Sequence, residues 1–469
     1  MAQSPTVELP KRLPLVTQPE NRDETTLKDA KLVNGYAELN PQTGEYWIFK
    51  RPGLLQTETT RAGNGYGVYN WRGNIYKIHG ATMYKDDVAL SGTLDVTNGV
   101  YQFSSCLGAT PKMQFGNGVK AYNYDASAGI VEITGGANWP TTQRKGWAYL
   151  NGTTYVMNAS ANILGCAALN SPGTWTDVLN TITAQIEPDG GVALTKQLVY
   201  VVALKEWTTE IFYDRRNATG SPLGPMEGAK INYGCASQDS LQVLDGVLFW
   251  IATNRSSAAQ VIMVDNLKPK IVSTKAIERL LEEGDFTAVF SFSVKVSGHR
   301  FYAFTLKNNN LTLVYDATDD MWMQWTDVDG NYFPIVAATY NSTQGRILQH
   351  ETNGKLYLLD ATYLNDDGSI ITVDLYTPNF DGGTRRVKHM KALKFIGDQT
   401  VGSILQVRVN DHDYDAAKWT NFRKVDMSKK TAMLTDCGSF INRAHNLRHQ
   451  SNTRMRLKAV DMQIDLGTL

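Results

Sequence analysis

Short apolar runs and alternating polar and apolar positions fill most of the chain. Gly73–Tyr76, Leu198–Leu204, Val247–Ile251 and Leu356–Asp360 are examples, each bounded by glycine, asparagine or aspartate. This pattern is typical of β-strands joined by tight turns. One segment differs, because Thr274 can cap a helix and the apolar residues that follow it up to position 283 have helical spacing. The sequence therefore predicts an all-β protein with one short helix.

A weak internal repeat indicates how the strands are arranged. A turn glycine is followed three residues later by an aromatic residue at Gly73/Tyr76, Gly152/Tyr155, Gly246/Phe249, Gly298/Phe301 and Gly354/Tyr357, with looser copies at Gly118/Tyr122 and Lys196/Tyr200. The spacing of roughly 35–55 residues is the length of one four-stranded propeller blade. We therefore predict a β-propeller of six or seven blades, with the aromatic residues packed between blades. A generic antiparallel β-protein is the alternative.

The distribution of charge divides the chain near residue 383. The 46 basic and 46 acidic residues cancel over the 469 positions. Residues 384–469 contain 16 Lys and Arg, 8 Asp and no Glu, so this segment carries +8 and the remainder carries −8. Strand patterning continues in the basic segment, as in Ile404–Val409, and a disordered arm would lack it. We predict an extended N-terminal arm over 1–30, the propeller over 31–383 and a basic, β-sandwich-like domain over 384–469.

Several functional classes are disfavoured by composition. A neutral chain does not match a protein that coats nucleic acid, which carries a large basic excess. The four cysteines are isolated, which is typical of buried thiols in a reducing compartment. No signal peptide and no apolar run of membrane-spanning length is visible. We therefore expect synthesis in the cytoplasm and no membrane insertion.

The sequence offers few groups for catalysis or metal binding. His445 and His449 would share one face of a helix, but Arg443 and Arg448 flank them and no third ligand is evident. Polar or phosphate contact within a basic patch is the better interpretation. No nucleophile motif or phosphate-binding glycine loop is present. We predict no catalytic residue, no metal site and no cofactor.

The basic segment supplies the candidate functional residues. Arg454 and Arg456 are two positions apart, so on a strand they would project from one face. Such a row can contact phosphates or an acidic partner protein. The predicted electrostatic interface comprises Arg385, Arg386, Lys388, Lys391, Lys394, Arg443, Arg448, Arg454, Arg456 and Lys458.

A series of segments, taken in order, resembles a known family. The series runs through Asn34–Glu38, Lys50–Leu54, Thr110–Gly118, Glu206–Asp214, a turn at Gly234, Leu244–Ile251, Ile271–Glu278 and Val314–Trp322. This order is similar to that of the tail hub or nozzle proteins of short-tailed bacteriophages (podoviruses), of the type that stabilises packaged DNA. The resemblance covers most of residues 30–330, and an arginine-rich closing domain follows.

The resemblance implies a structural virion protein of the phage tail that is not an enzyme. Members of the family form a ring, typically a homohexamer, below the portal and its adaptor ring. They extend the channel for the passing double-stranded DNA, retain the packaged genome until ejection and dock tail fibres or a tail tip. The alternative that we retain is a carbohydrate-binding or polysaccharide-degrading β-propeller, which would need carboxylates and aromatic residues at its central mouth.

Overall fold

The computed structural model describes residues 11–15, 19, 30–58, 60–256 and 258–467. Within these ranges the chain is built almost wholly of β-strands, and its one α-helix spans Lys275–Glu282. Thr274 caps this helix by accepting a hydrogen bond from the backbone N–H of Ile277, as the sequence predicts. Short 3-10 turns lie at Gln238–Ser240, Lys307–Asn309 and Ala416–Lys418.

Seven four-stranded antiparallel units follow one another along the described chain, and we number them blades 1 to 7. Blade 1 comprises Gly65–Trp71, Asn74–His79, Thr82–Lys85 and Val88–Ala89. Blade 2 comprises Gln102–Cys106, Lys112–Gly116, Ala121–Asp125 and Gly129–Glu132. Blade 3 comprises Ala148–Leu150, Thr153–Met157, Asn162–Gly165 and Thr181–Thr183. Blades 4 and 5 comprise Gly191–Gln197, Tyr200–Lys205, Thr209–Asp214 and Leu223–Pro225; and Gln242–Leu244, Val247–Ala252, Gln260–Asp265 and Lys268–Ile271. Blade 6 comprises Val289–Val296, His299–Leu306, Leu311–Asp316 and Met321–Gln324, and blade 7 comprises Ile335–Asn341, Gly345–His350, Leu356–Asp360 and Gly53–Gln56.

These seven units form a β-propeller. The first strand of each blade, or the residues beside it, lines one central cavity. The ring closes in blade 7, where the early strand Gly53–Gln56 supplies the fourth strand next to Leu356–Asp360. The sequence repeat allowed six or seven blades, and the strand pairing shows seven.

Aromatic residues of the repeat pack between neighbouring blades. Tyr76 of blade 1 lies 5.4 Å, ring centroid to ring centroid, from Tyr124 of blade 2. Phe249 of blade 5 stacks on Tyr302 of blade 6 at 5.3 Å. A single blade cannot bury both faces of its sheet, so these contacts between blades form much of the propeller core.

Two further sheets pack face to face beside blades 6 and 7. The first sheet contains Gly35–Leu39, Tyr46–Lys50, Arg456–Leu466, Lys388–Gly397 and Ala432–Thr435, with Lys11–Arg12 and Ser439–Phe440 at its sides. The second contains Lys31–Val33, Val373–Tyr376, Ala444–His449, Ile404–Asn410 and Arg423–Asp426. Buried residues from both sheets, among them Ile48, Leu375 and Leu447, share one apolar core. We call this pair of sheets the sandwich.

The sandwich contains strands from both ends of the chain. Tyr46–Lys50 pairs with Arg456–Leu466, and Lys31–Val33 pairs with Val373–Tyr376. Lys31–Val33 also adds to the edge of blade 6 through Val33 and Gln324. A short hairpin, Asn365–Asp366 and Ser369–Ile370, continues the sheet of blade 7. The predicted division at residue 383 remains a prediction, and most of the predicted arm over 1–30 lies outside the described residues.

Candidate interface residues and cavities

The ten basic residues of the predicted interface occupy different environments in the sandwich. Lys388, Arg443, Arg448 and Arg456 are at least partly buried and are held by other groups of the protein. Arg385, Arg386, Lys391, Lys394 and Arg454 are exposed, and Lys458 is partly exposed. Lys388 and Arg443 are thus internal, Arg448, Arg456 and Lys458 are partly exposed, and the other five lie at the surface, a distinction that sequence spacing alone could not make.

Lys388 and Arg443 are buried near the end of the first sheet. Lys388 Nζ donates hydrogen bonds to the carbonyl oxygens of Thr384, Arg386 and Ile441 at 2.7–2.9 Å. Arg443 binds Asp411 through two N–H groups, with Nε–Oδ1 and Nη2–Oδ2 distances of 2.6 and 2.7 Å. Because the cationic groups of Lys388 and Arg443 already have acceptors within the protein, we interpret both residues as groups that stabilise the fold.

Arg448 belongs to a row of guanidinium and aromatic groups on the outer side of the second sheet. Its Nε and Nη2 atoms each donate to Asp374 at 2.9 Å, and its guanidinium lies 4.7 Å from the centre of the Phe422 ring. Arg408 lies between Phe422 and Trp419, at 4.6 and 4.9 Å from the two ring centres. Cation–π contacts of this kind fix the side chains at a partly exposed surface.

Exposed cations of the first sheet are partly balanced by neighbouring acids. Lys391 Nζ lies 2.5 Å from Asp465 Oδ2, whereas Arg386 Nη2 donates to the backbone oxygen of Gly467 at 2.6 Å. Lys458 Nζ lies 5.4 Å from the centre of the Trp47 ring. Ion pairs at exposed positions contribute little to stability, so these contacts are minor and leave the cations at the surface.

Arg454 and Arg456 line one cavity, which we call the junction cavity. Arg454 precedes the final strand and Arg456 begins it, so only Arg456 has a strand position. The cavity has a volume of about 270 Å³ and lies between the sandwich and the loop Ala361–Leu364 that follows the third strand of blade 7. Lys50 and Arg51 also line it. Lys50 and Arg51 are not among the residues predicted from the sequence, because two adjacent basic residues give no sign that Lys50 is buried.

The two histidines considered as metal ligands lie on a strand, not on a helix. His445 and His449 belong to Ala444–His449 and are almost fully buried, so neither is exposed to an external phosphate. The predicted polar contact is confirmed for His449, whose Nε2 lies 3.2 Å from Ser403 Oγ and 3.3 Å from Thr453 Oγ1. Neither ring nitrogen of His445 has a hydrogen-bond partner among the described residues. Burial and the nearby Arg443 lower the pKa of His445 to about 3, and burial followed by Lys50 lowers that of His449 to about 4.

The central cavity of the propeller is crossed by an ion pair. Lys145, beside blade 3, contacts both carboxylate oxygens of Asp239, beside blade 5, at 2.8 Å. The cavity has a volume of about 290 Å³, and Asp239 is the one carboxylate among the described residues that line it. Desolvation raises the pKa of Asp239, although Lys145 opposes this shift. A polysaccharide-cleaving site at this mouth would need a second carboxylate.

A histidine and two aspartates meet at the edge of blade 6. His299 Nδ1 lies 2.6 Å from Asp316 Oδ2 and 3.3 Å from Asp319 Oδ2. The pKa of His299 is raised: desolvation acts against the shift, but the hydrogen bond and charge of Asp316 outweigh it. The three groups could surround a cation, but His299 and Asp316 already satisfy each other through a hydrogen bond.

The strand pairing and these surfaces together define a class of protein, a β-propeller joined to a β-sandwich. No helix in the described residues is long and apolar enough to cross a membrane. The family model described as "Bacteriophage P22 Gp10, beta-propeller" (Phage_stabilise) matches residues 11–363. The chain belongs to this family. The resemblance seen in the sequence is thereby confirmed, and membership supports a structural, DNA-stabilising role in a phage.

The solved structures that match this chain do so at low sequence identity and with TM-scores below 0.5. The extracellular domain of the putative one component system BT4673 from B. thetaiotaomicron is 9% identical, with a TM-score of 0.42 over 86% of this chain and 58% of that one. The WD40 beta propeller domain of Doa1 is 10% identical, with a TM-score of 0.38 over 66% of this chain and 97% of that one. The chain thus spans less than two thirds of the length of the BT4673 domain. A comparison with curated proteins finds no match.

Proposed function

We propose that this chain is a ring-forming structural component of a phage tail. In this proposal six copies assemble below the portal and its adaptor ring and extend the channel for double-stranded DNA. The ring retains the packaged genome and offers docking sites to fibres or a tail tip. Membership of the P22 Gp10 family over residues 11–363 is the observation that carries the proposal.

The charge distribution supports assembly through complementary surfaces. Residues 384–469 carry +8 and the rest of the chain carries −8. Contacts that join different surfaces of successive copies generate rings when the rotation closes. The exposed cations Arg385, Arg386 and Lys394 would then face an acidic surface, either on the next copy or on the adaptor ring. We favour a protein partner over DNA for these cations, because a channel that must pass DNA should not hold its phosphates tightly.

The decisive experiment uses particles of the phage that encodes the chain. Particles assembled without the protein are expected to package DNA and then lose it, so that the nuclease-sensitive DNA fraction rises. Adding the purified full-length chain should restore retention and add density on the tail axis in electron micrographs. Normal DNA retention by particles that lack the protein would contradict the proposal.

A triple variant tests the role of the basic surface. Arg385→Glu, Arg386→Glu and Lys394→Glu together should reduce incorporation into particles, because each replaced side chain is exposed and the fold should survive. The matched control replaces three exposed lysines elsewhere in the sandwich, Lys418, Lys429 and Lys430, with glutamate. If both triple variants incorporate equally well, the interface assignment is wrong even if the tail role stands.

A further inference from the structure

The junction cavity brings four cations together at the border between propeller and sandwich. Lys50, Arg51, Arg454 and Arg456 line its wall, together with one acid, Asp398. Tyr36 and Phe49, whose rings stack at a centroid distance of 5.2 Å, form an aromatic part of the same wall. The cavity therefore combines a polar, positively charged lining with a rigid apolar side.

Two of the four cations are satisfied by carboxylates. Arg51 donates to both oxygens of Asp366, at 3.0 Å from Nη1 and 2.5 Å from Nη2. Arg456 donates to Asp398 Oδ1 from Nε at 3.0 Å and from Nη2 at 2.7 Å. These bidentate and paired contacts hold the guanidinium groups in fixed positions.

The other two cations have no carboxylate partner among the described residues. Lys50 is 7% exposed, and its ammonium, which has three N–H donors, donates one hydrogen bond, at 3.0 Å to the carbonyl oxygen of Ser451. Arg454 is exposed and forms no ion pair in the described part of the chain. Among the residues that line the cavity of about 270 Å³ and the two carboxylates bonded to them, positive charges exceed negative charges by two. Glu38 and Asp316 lie outside this lining, although their charges act on Tyr36 in its wall.

A buried ammonium without a counter-ion is costly, and the properties of Lys50 reflect this cost. Burial, followed by the charge of Arg51, lowers the pKa of Lys50 to about 8, while Asp366 acts in the opposite direction. A bound anion would offset the desolvation penalty of the Lys50 ammonium. A dianion matches the surplus of two charges, whereas a single carboxylate would leave one charge uncompensated.

We propose that the junction cavity is a phosphate-binding site, in which Lys50 and Arg454 contact the oxyanion, while Arg51 and Arg456 keep their carboxylate partners and form part of the lining. The ligand is either a free phosphate ion or a phosphate group of DNA at the mouth beside Arg454. Lysine and arginine are the side chains that bind phosphate through charge and multiple hydrogen bonds. This site is additional to the proposed tail function and does not depend on it.

The test measures binding of inorganic phosphate to the full chain by calorimetry and thermal shift, at constant ionic strength in chloride. Wild-type protein and the control Lys394→Met, which removes an exposed lysine of the same sheet outside the cavity, should bind phosphate equally. Lys50→Met should abolish binding, and Arg454→Ala should weaken it at least fivefold. Because Arg454 is exposed, its loss leaves the fold intact and keeps the test informative if Lys50→Met proves unstable.

A second arm titrates a short DNA duplex into the same four proteins and distinguishes the two sources of phosphate. Binding of inorganic phosphate alone that depends on Lys50 and Arg454 identifies a free ion as the ligand. Duplex binding with the same dependence identifies the DNA backbone. If neither probe binds, or if both bind Lys50→Met and Arg454→Ala as tightly as wild type, the site is disproved.

Discussion

At the scale of single residues, the positive charge of the sandwich serves two purposes. Lys388 and Arg443 have their hydrogen bonds satisfied inside the fold, whereas Arg385, Lys394 and Arg454 present their charge outward. The loss of stability on replacing a basic residue of the sandwich should therefore depend on whether that residue is buried. One buried and one exposed position test this expectation.

Replacing Arg443 should destabilise the protein, while replacing Arg385 should not. Arg443→Ala leaves Asp411 and the carbonyl oxygen of Cys437 without their donor, and we expect a loss of about 2 kcal/mol in the free energy of unfolding. Arg385→Ala removes an exposed side chain and should change the free energy by less than about 0.5 kcal/mol. Urea denaturation followed by fluorescence measures both. Equal losses for the two variants would contradict the assignment of Arg443 to the interior.

Acid should destabilise the sandwich through His445. In the fold its pKa is about 3 against an ordinary value of 6.5, so below pH 6.5 the unfolded chain binds the proton first. The free energy of unfolding should therefore fall as the pH drops from about 6.5 towards 3, by up to about 1.4 kcal/mol per pH unit from this residue. His445→Leu should reduce that slope, whereas the control His412→Gln, at an exposed position, should leave it unchanged. Chemical denaturation at pH 7, 6 and 5 checks the prediction, and an unchanged slope in His445→Leu would refute it.

At the scale of elements, tight hairpin turns explain why the repeat was visible in the sequence. In blades 1, 3, 5 and 6 the first two strands are joined by two residues with positive φ, as at Asp245 (50°) and Gly246 (79°). This geometry is that of type I′ turns, which favour asparagine, aspartate or glycine at the two central positions, although Arg72 and Ser297 occupy the first of them in blades 1 and 6. The aromatic residue three positions later then falls in the second strand, where it is buried between blades.

Two glycines with positive φ allow the destabilisation caused by backbone strain to be separated from that caused by steric overlap. Gly298 has a φ of +88° and open space around a would-be Cβ, so Gly298→Ala should cost about 1 kcal/mol from the backbone conformation alone. Gly146 also has positive φ, but its Cβ would overlap the carbonyl oxygen of Leu194 in blade 4. Gly146→Ala should cost more than about 3 kcal/mol or prevent folding. Thermal unfolding of the two variants compares the effects; similar melting temperatures would be inconsistent with close packing at Gly146.

Sequence patterning predicted the propeller and its approximate period but not the exact partners of the strands. Gly118 and Gly354 match the repeat, yet they lie in the turn between the second and third strands of their blades. The spacing rule cannot distinguish the two turns, because both contain glycine with positive φ. The pairing of Gly53–Gln56 with Leu356–Asp360 could not be predicted either. The two strands are 300 residues apart, and nothing in their polar and apolar pattern marks them as partners.

The strand that closes the ring can be tested without disturbing the core. Leu55 lies within Gly53–Gln56, pairs with Leu358 and has an exposed side chain, so Leu55→Pro chiefly alters backbone pairing. We expect a loss of about 3 kcal/mol, because proline removes a backbone donor and resists an interior position in a sheet. Leu55→Thr keeps the donor and should be nearly neutral. Hydrogen exchange of blade 7 should increase only in the proline variant; unchanged exchange would argue against closure by this strand.

At the scale of the whole molecule, the neutrality of the chain conceals a separation of charge. If copies associate through the basic sandwich, as we propose, attraction between +8 and −8 segments should promote assembly at low ionic strength. Analytical ultracentrifugation at 50 and 500 mM NaCl should then show larger species at the lower salt concentration. The triple variant Arg385→Glu, Arg386→Glu and Lys394→Glu should lose this dependence. Sedimentation that is independent of salt would count against an electrostatic ring contact.

The joining of both chain ends in one sheet has a mechanical consequence. Lys11–Arg12 and Tyr46–Lys50 come from the start of the chain, and both pair with Arg456–Leu466 from its end. A pulling force applied between the two ends would therefore load the hydrogen bonds of the sandwich before it reached any blade. The propeller would keep its closed form until the strands of that sheet separated. The sandwich thus acts as a clasp that holds the first and last described strands together.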